Sequence, residues 1–179
     1  SRFFPVVGAA IGLLSAVVLW IASWFGFPPS LLALFALLTI TLLTGALHED
    51  GLADTFDGLG GGATRDQKLK IMRDSQIGSY GVMALLFSFG IRWTAYTEVL
   101  GLGFSHTLAT LIATAAGSRS ALPVIMYLIP VAREDGLSAS AGKPSLDRAI
   151  VALLIGFGFL LFLLGFRISI VALGISVLL

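Results

Sequence analysis

FFPVVGAAIGLLSAVVLWIASWFGF, residues 3–27, runs for 25 residues without one charged side chain. A helix needs about 20 largely apolar residues to cross a bilayer, so this run reads as a membrane span. Pro28 and Pro29 end it, because neither can continue a helix. It is also too long for the apolar core of a secretory signal. Four more runs follow: 31–47, 82–102 with Arg92 and Glu98 inside it, 106–130 with Arg119, and 149–166. A sixth, 168–179, stops after 12 residues, about half a crossing. The expectation is an all-α, polytopic integral membrane protein: five full transmembrane helices plus a truncated sixth, in a single domain over 1–179. Ser1 in place of a starting Met and the short last run predict a chain trimmed at both ends.

Composition agrees with this reading. Hydrophobic residues make up 57% of the 179 residues and charged ones 12%, against about 25% charged in an ordinary soluble domain. The formal net charge of +1 leaves no basic field for nucleic acid, which is excluded as a partner. With no Cys, thiolate chemistry, disulfides and Cys-ligated metals are excluded as well. Counting crossings puts Arg2, Arg65, Lys68, Lys70, Arg73, Arg133, Lys143 and Arg148 on one side and only Arg167 on the other. By the positive-inside rule, the polar segments 48–81 and 131–148 face the cytoplasm.

Charge is concentrated in residues 48–74, where 27 residues hold ten of the 21 charges. Asp50, Asp54 and Asp57 stand at i, i+4 and i+7. If the second span continues as a helix, they share one face within about 60 degrees. Carboxylates so placed repel one another unless a cation neutralises them. Hard oxygen ligands of this kind suit Mg2+, which takes one or two carboxylates together with waters and substrate phosphates. Glu49 lies about 100 degrees away on such a helix and is a less central ligand. Gly51 and Gly58 are expected to interrupt the acidic helix and Gly60, Gly61 and Gly62 to end it, leaving backbone that a bulky ligand can approach. Thr64 and Gln67 form a candidate capping box for a short helix through about Ser75.

Arg65, Lys68, Lys70 and Arg73 accompany these acids. Carboxylates for a metal beside cations for phosphate oxygens are the elements of phosphoryl transfer. Arg73, adjacent to Asp74, is the expected substrate contact, while Lys68 and Lys70 equally suit anionic lipid. Within the spans, Arg92 and Arg119 require partners, since an unpaired charge at mid-bilayer costs several kcal/mol. Glu98 or backbone carbonyls could satisfy Arg92; Arg119 is expected to face a phosphate or an acid of the 48–74 segment.

The strings HEDGLADTFDGLGGG at 48–62 and IMRDSQIGSYGV at 71–82 closely resemble the cobalamin synthase family of adenosylcobinamide-GDP ribazoletransferases. FFPVVGAAIG at 3–12, GSRSA at 117–121 and AREDGL at 132–137 extend the resemblance over nearly the whole chain. It implies a Mg2+-dependent membrane transferase that joins adenosylcobinamide-GDP to alpha-ribazole or its 5'-phosphate and releases GMP. The ribose hydroxyl of the ribazole would attack the phosphorus attached to cobinamide. Asp50, Asp54, Asp57, Glu49 and Asp74 are then candidate metal ligands, and Arg73, Arg119, Arg65 and Ser75 candidate phosphate contacts. Asp54, Asp57 and Glu49 are the catalytic candidates, with Asp57 and Glu49 as alternatives for the general base. A second copy of the chain or another membrane-bound biosynthetic enzyme is the protein partner such a setting admits. Family members continue beyond this end with a glycine-rich segment bearing Thr-Gly-Asp, and begin earlier.

Two other readings compete. A CDP-alcohol phosphotransferase also sets spaced Asp and Gly on a membrane helix, but its signature places Ala-Arg after the first Asp-Gly, where this chain has Ala53 and Asp54. A transporter would gather its polar residues near the bilayer midplane, whereas this chain gathers them in one polar segment.

Overall fold

A computed structural model describes residues 2–132 and 136–166, and among these every regular element is a helix. In chain order they are α1 (Phe4–Ser23), α2 (Pro29–Leu43), α3 (Leu47–Gly61), α4 (Arg65–Ile71), α5 (Ser79–Gly101), α6 (Phe104–Leu128), α7 (Leu137–Ala141) and α8 (Leu146–Leu164). Three of them, α1, α6 and α8, are long and apolar enough to cross a membrane. At 15 residues, α2 rises only about 22 Å and falls short alone; with α3 it forms a bent pair that would make a fourth candidate span. Although α5 has the length, with 23 residues, Arg92 and Glu98 dilute its apolar character and it is not among the candidates. The structure therefore supports three or four spans of the five expected. The predicted sixth, 168–179, lies outside the described residues.

The acidic segment does not continue α2 as one straight helix. At the end of α2 the amide of Gly45 donates to the Leu42 carbonyl (3.1 Å) and that of Ala46 to the Thr41 carbonyl (2.8 Å), the paired bonds of a Schellman stop. Gly45 (φ +60°) and Ala46 (φ +57°) both adopt left-handed backbone, which a residue with a Cβ rarely does. The chain thereby swings 86° before α3 begins. Gly51 and Gly58 do not interrupt that helix, which runs unbroken through both; Gly61 is its last residue and Gly62 its cap. The capping box forms: the Gln67 amide donates to Thr64 Oγ1 (3.3 Å) and the Thr64 amide to Gln67 Oε1 (3.1 Å). The short helix it starts ends at Ile71, not near Ser75. Beyond it, Asp74 Oδ1 accepts the Gln76 amide (3.2 Å), a local turn that competes with further helix.

The described residues gather into two compact units whose boundary falls within α1. One holds residues 2–17, 103–132 and 136–166, where α6 packs along α8. Small residues make that contact: Ala113, Ala116, Gly117 and Ser120 of α6 are buried, as are Ala149, Ala152 and Gly156 of α8. A Cβ at Gly156 would strike the Ser120 side chain, and one at Gly117 would meet Leu160. Such seams let helix backbones approach where lipid offers no hydrophobic drive for association. Gly8 and Gly12 of α1 do the same against the backbone of Ala115 and Leu111.

The other unit, residues 18–102, holds α2 to α5, with α5 packed on both α2 and α3, and α4 on α3. Trp93 Nε1 donates to the Ser30 carbonyl (2.8 Å), tying α5 to the start of α2.

Replacing Gly156 with Leu should overpack the α6–α8 seam and cost about 1–3 kcal/mol. Thermal unfolding in detergent micelles would show this as a lowered Tm, and an unchanged Tm would mean that the seam is not closely packed.

Candidate active site

Asp50, Asp54 and Asp57 occupy successive turns of α3 but meet three different surroundings. Asp50 is exposed, Asp54 half-buried and Asp57 buried at 8% exposure. The Asp57 carboxylate is turned to the beginning of α5, where its Oδ2 accepts the Gly78 amide (2.7 Å) and its Oδ1 the Gly81 amide (2.8 Å). A helix start leaves its first amides without partners and carries partial positive charge. Gly78, the N-cap of α5, has no side chain to serve them, so Asp57 does so from another helix. A Cβ at either Gly78 or Gly81 would collide with this carboxylate. Both positions in the run IGSYG are therefore receptors for Asp57.

The glycines of α3 are used in a similar way. Space beside Gly58 is taken by Met72, beside Gly60 by the Tyr80 ring and beside Gly62 by Lys68, while Gly51 has no neighbour within 4 Å. The expected open approach for a bulky ligand is thus found at Gly51, and the others seat α4 and α5.

Glu49, in the first turn of α3, pairs with Arg92 of α5: its Oε1 lies 3.1 Å from the guanidinium Nη1. Arg92 Nε also donates to the Ser88 carbonyl (3.3 Å), and Thr41 Oγ1 to Glu49 Oε1 (3.5 Å). The partner of Arg92 is thus Glu49, 43 residues away. Glu49 Oε2 is buried and accepts no hydrogen bond among the described residues.

Arg65 stands exposed at the first residue of α4, and Arg73, Asp74 and Ser75 are exposed in the turn after it. All belong to the same unit as the α3 acids. Arg119 belongs to the other unit, where its Nη1 donates to the Ala115 carbonyl (3.2 Å) and lies 3.5 Å from Ser118 Oγ.

No group of three or more His, Asp or Glu side chains among the described residues is placed to hold a metal alone. Asp50 and Asp54 are one helical turn apart, with Cβ atoms about 5–6 Å from each other. Two carboxylates so spaced, with Asp50 open to solvent, fit Mg2+, which completes its shell with water and phosphate. Each Asp57 oxygen already accepts a backbone amide, so that carboxylate fits a ligand role less well.

A family model described as cobalamin-5-phosphate synthase matches residues 1–179. Among curated relatives, the adenosylcobinamide-GDP ribazoletransferase of Bradyrhizobium diazoefficiens is 53% identical over 152 residues, 85% of this chain and 58% of the relative. That of Azorhizobium caulinodans is 47% identical over 178 residues, 97% of this chain and 67% of the relative. That of Brucella canis is 37% identical over 167 residues, 93% of this chain and 64% of the relative. The chain thus spans about three-fifths to two-thirds of the length of these relatives. No solved structure matches it. With a match that runs from the first residue to the last, through the acidic helix and the glycine run that receives it, the chain belongs to the cobalamin-5-phosphate synthase family.

Proposed function

We propose that the chain carries the reaction centre of a multi-pass membrane transferase that joins adenosylcobinamide-GDP to alpha-ribazole or its 5'-phosphate. The observation that carries this reading is the helix α3, which presents Asp50 and Asp54 one turn apart while Asp57 fastens it to α5. A ribose hydroxyl of the ribazole attacks the phosphorus attached to cobinamide. A new P–O bond forms, the P–O bond to GMP breaks, and the hydroxyl proton passes to a carboxylate. The products are adenosylcobalamin, or its 5'-phosphate, and GMP.

Asp50 and Asp54 would hold Mg2+, with Asp74 as a further candidate ligand, whereas Glu49 is engaged by Arg92. When bound, the ion supplies Lewis-acid stabilisation of charge on the diphosphate and the departing nucleotide. Arg65 and Arg73, exposed in the same unit, are suited to phosphate oxygens because a guanidinium offers a planar fork of donors. Ser75 adds a hydroxyl beside them, and Arg119 is a phosphate contact proposed on sequence alone. On the five-crossing reading of the sequence, the bias of basic residues would place residues 48–81 on the cytoplasmic side of the membrane, the side on which a bulky, water-soluble nucleotide substrate is met.

Asp54→Asn should leave the fold intact and reduce GMP release from adenosylcobinamide-GDP plus alpha-ribazole by about two orders of magnitude, the usual effect of removing one electrostatic stabiliser. Mass spectrometry of products with Mg2+ and with chelator reads this directly, and undiminished GMP release would overturn the metal assignment. Asp57→Asn should behave differently. Its amide group would face an amide donor of α5, and an unsatisfied buried group costs about 1–3 kcal/mol. We expect a lowered Tm for Asp57→Asn and an unchanged one for Asp54→Asn; equal melting of the two would contradict the capping role.

A further inference from the structure

Glu49, Ala53 and Asp57 recur at four-residue steps along α3, and all three meet α5. Glu49 pairs with Arg92. Ala53, 5% exposed, brings its carbonyl to 3.0 Å from where a Gly81 Cβ would stand. Asp57 caps Gly78 and Gly81. Steps of four advance only about 40 degrees around a helix, so these residues form one continuous stripe. Asp50 and Asp54 lie about 100 degrees round from Glu49 and Ala53 but only about 20 and 60 degrees from Asp57, along the edge of the stripe.

We infer that Glu49, Asp57 and Arg92 are positioning residues: the two carboxylates clamp α3 to α5 at separate points, and the clamp presents Asp50 and Asp54 to the substrate. The acids of HEDGLADTFD thus divide by partner into a docking set, 49 and 57, held on α5, and a reacting set, 50 and 54. This division rests on the functional reading above for the role of Asp50 and Asp54, but the clamp itself rests on geometry alone. The two contacts are complementary. Asp57 satisfies amides that would otherwise be orphaned at the start of α5, and Glu49 satisfies a guanidinium three turns further along the same helix. Two fixed points on α5 determine both the tilt and the rotation of α3, which a single contact cannot do.

The chain has no Cys, so paired spin labels can be introduced cleanly. Labels at Thr55→Cys on α3 and Thr94→Cys on α5, both exposed positions, report the separation of the two helices in nanodiscs. The parent should give one narrow distance distribution. Glu49→Gln and Arg92→Gln should each broaden it, and the exchanged pair Glu49→Arg with Arg92→Glu should narrow it again. In the GMP-release assay, each single variant should lose at least tenfold in kcat with the half-maximal Mg2+ concentration unchanged, and the exchanged pair should regain most of the loss. Asp54→Asn, by contrast, should raise that concentration.

Distances unaltered by the single variants would overturn the clamp, and so would a tenfold rise in the half-maximal Mg2+ concentration for Glu49→Gln, which would mark it as a ligand. Should the single variants fail to fold, a folded exchanged pair supports the clamp and an unfolded one refutes it. Because the labels report without turnover, broadened distances in a parent that releases no GMP would leave the clamp standing and remove the functional reading. Active parent protein with unmoved distances would do the reverse.

Discussion

The unit built from residues 18–102 depends on a helix that starts without a capping side chain. At the head of α5 the N-cap is Gly78, and a buried amide with no partner is among the less tolerable features of a folded chain. Asp57 supplies both missing acceptors from α3, 21 and 24 residues earlier in sequence. The carboxylate charge is compensated by the positive end of the α5 dipole, which explains how an acidic side chain is buried with backbone amides as its partners. Removing either partner leaves the other stranded: the amides lose their acceptors, or the carboxylate its donors. The requirement extends to composition, because only glycine at 78 and 81 lets the carboxylate reach the backbone.

Arg92 follows the same logic in a more demanding setting. A guanidinium within an otherwise apolar helix is costly unless paired, and the pairing with Glu49 draws the first turn of α3 onto the middle of α5. A half-buried ion pair such as this one adds little net stability compared with apolar packing, but breaking it leaves one charge without its partner. Such a contact therefore specifies geometry more than it stabilises the fold. In the other unit, specification comes from size: Gly8, Gly12, Gly117 and Gly156 allow approaches that any larger residue would block.

Features encoded locally were legible in the sequence. Charge-free runs located α1 and α8, the Thr64 and Gln67 pair announced the start of α4, and the triple glycine marked the end of α3. Features that depend on distant partners were not. The Leu31–Leu47 run gave no warning that α2 stops at Leu43, since a left-handed Ala46 is a choice made by the fold against local preference. Arg92 had an acid six residues away in its own run and took one 43 residues away instead, because the relation of α3 to α5 sets the distance and sequence spacing does not. Asp50, Asp54 and Asp57 were rightly seen to share a side of a helix, yet Asp57 belongs to the docking stripe. The missed signal was the pair of glycines three apart at a helix start that lacked a capping residue.

Separating docking acids from reacting acids has a chemical consequence. A metal site enclosed by four or five protein ligands would hold its ion firmly but leave no coordination position for a diphosphate, whereas Mg2+ sheds water reluctantly and works best with few protein carboxylates and several exchangeable positions. On the proposed reading, Asp50, exposed, and Asp54, half-buried, would form an open edge of that kind on α3. A site so open has little rigidity of its own, and catalysis tolerates little misplacement of the groups that hold a reacting phosphate. The rigidity must come from the helix that bears the carboxylates, and that helix is fastened through neighbours of the same charge and nearly the same register. On the proposed reading, an acid-rich helix is economical for this reason: carboxylates that would repel one another in a single cluster are directed to different partners, amides and a guanidinium on one side and a cation with its phosphates on the other.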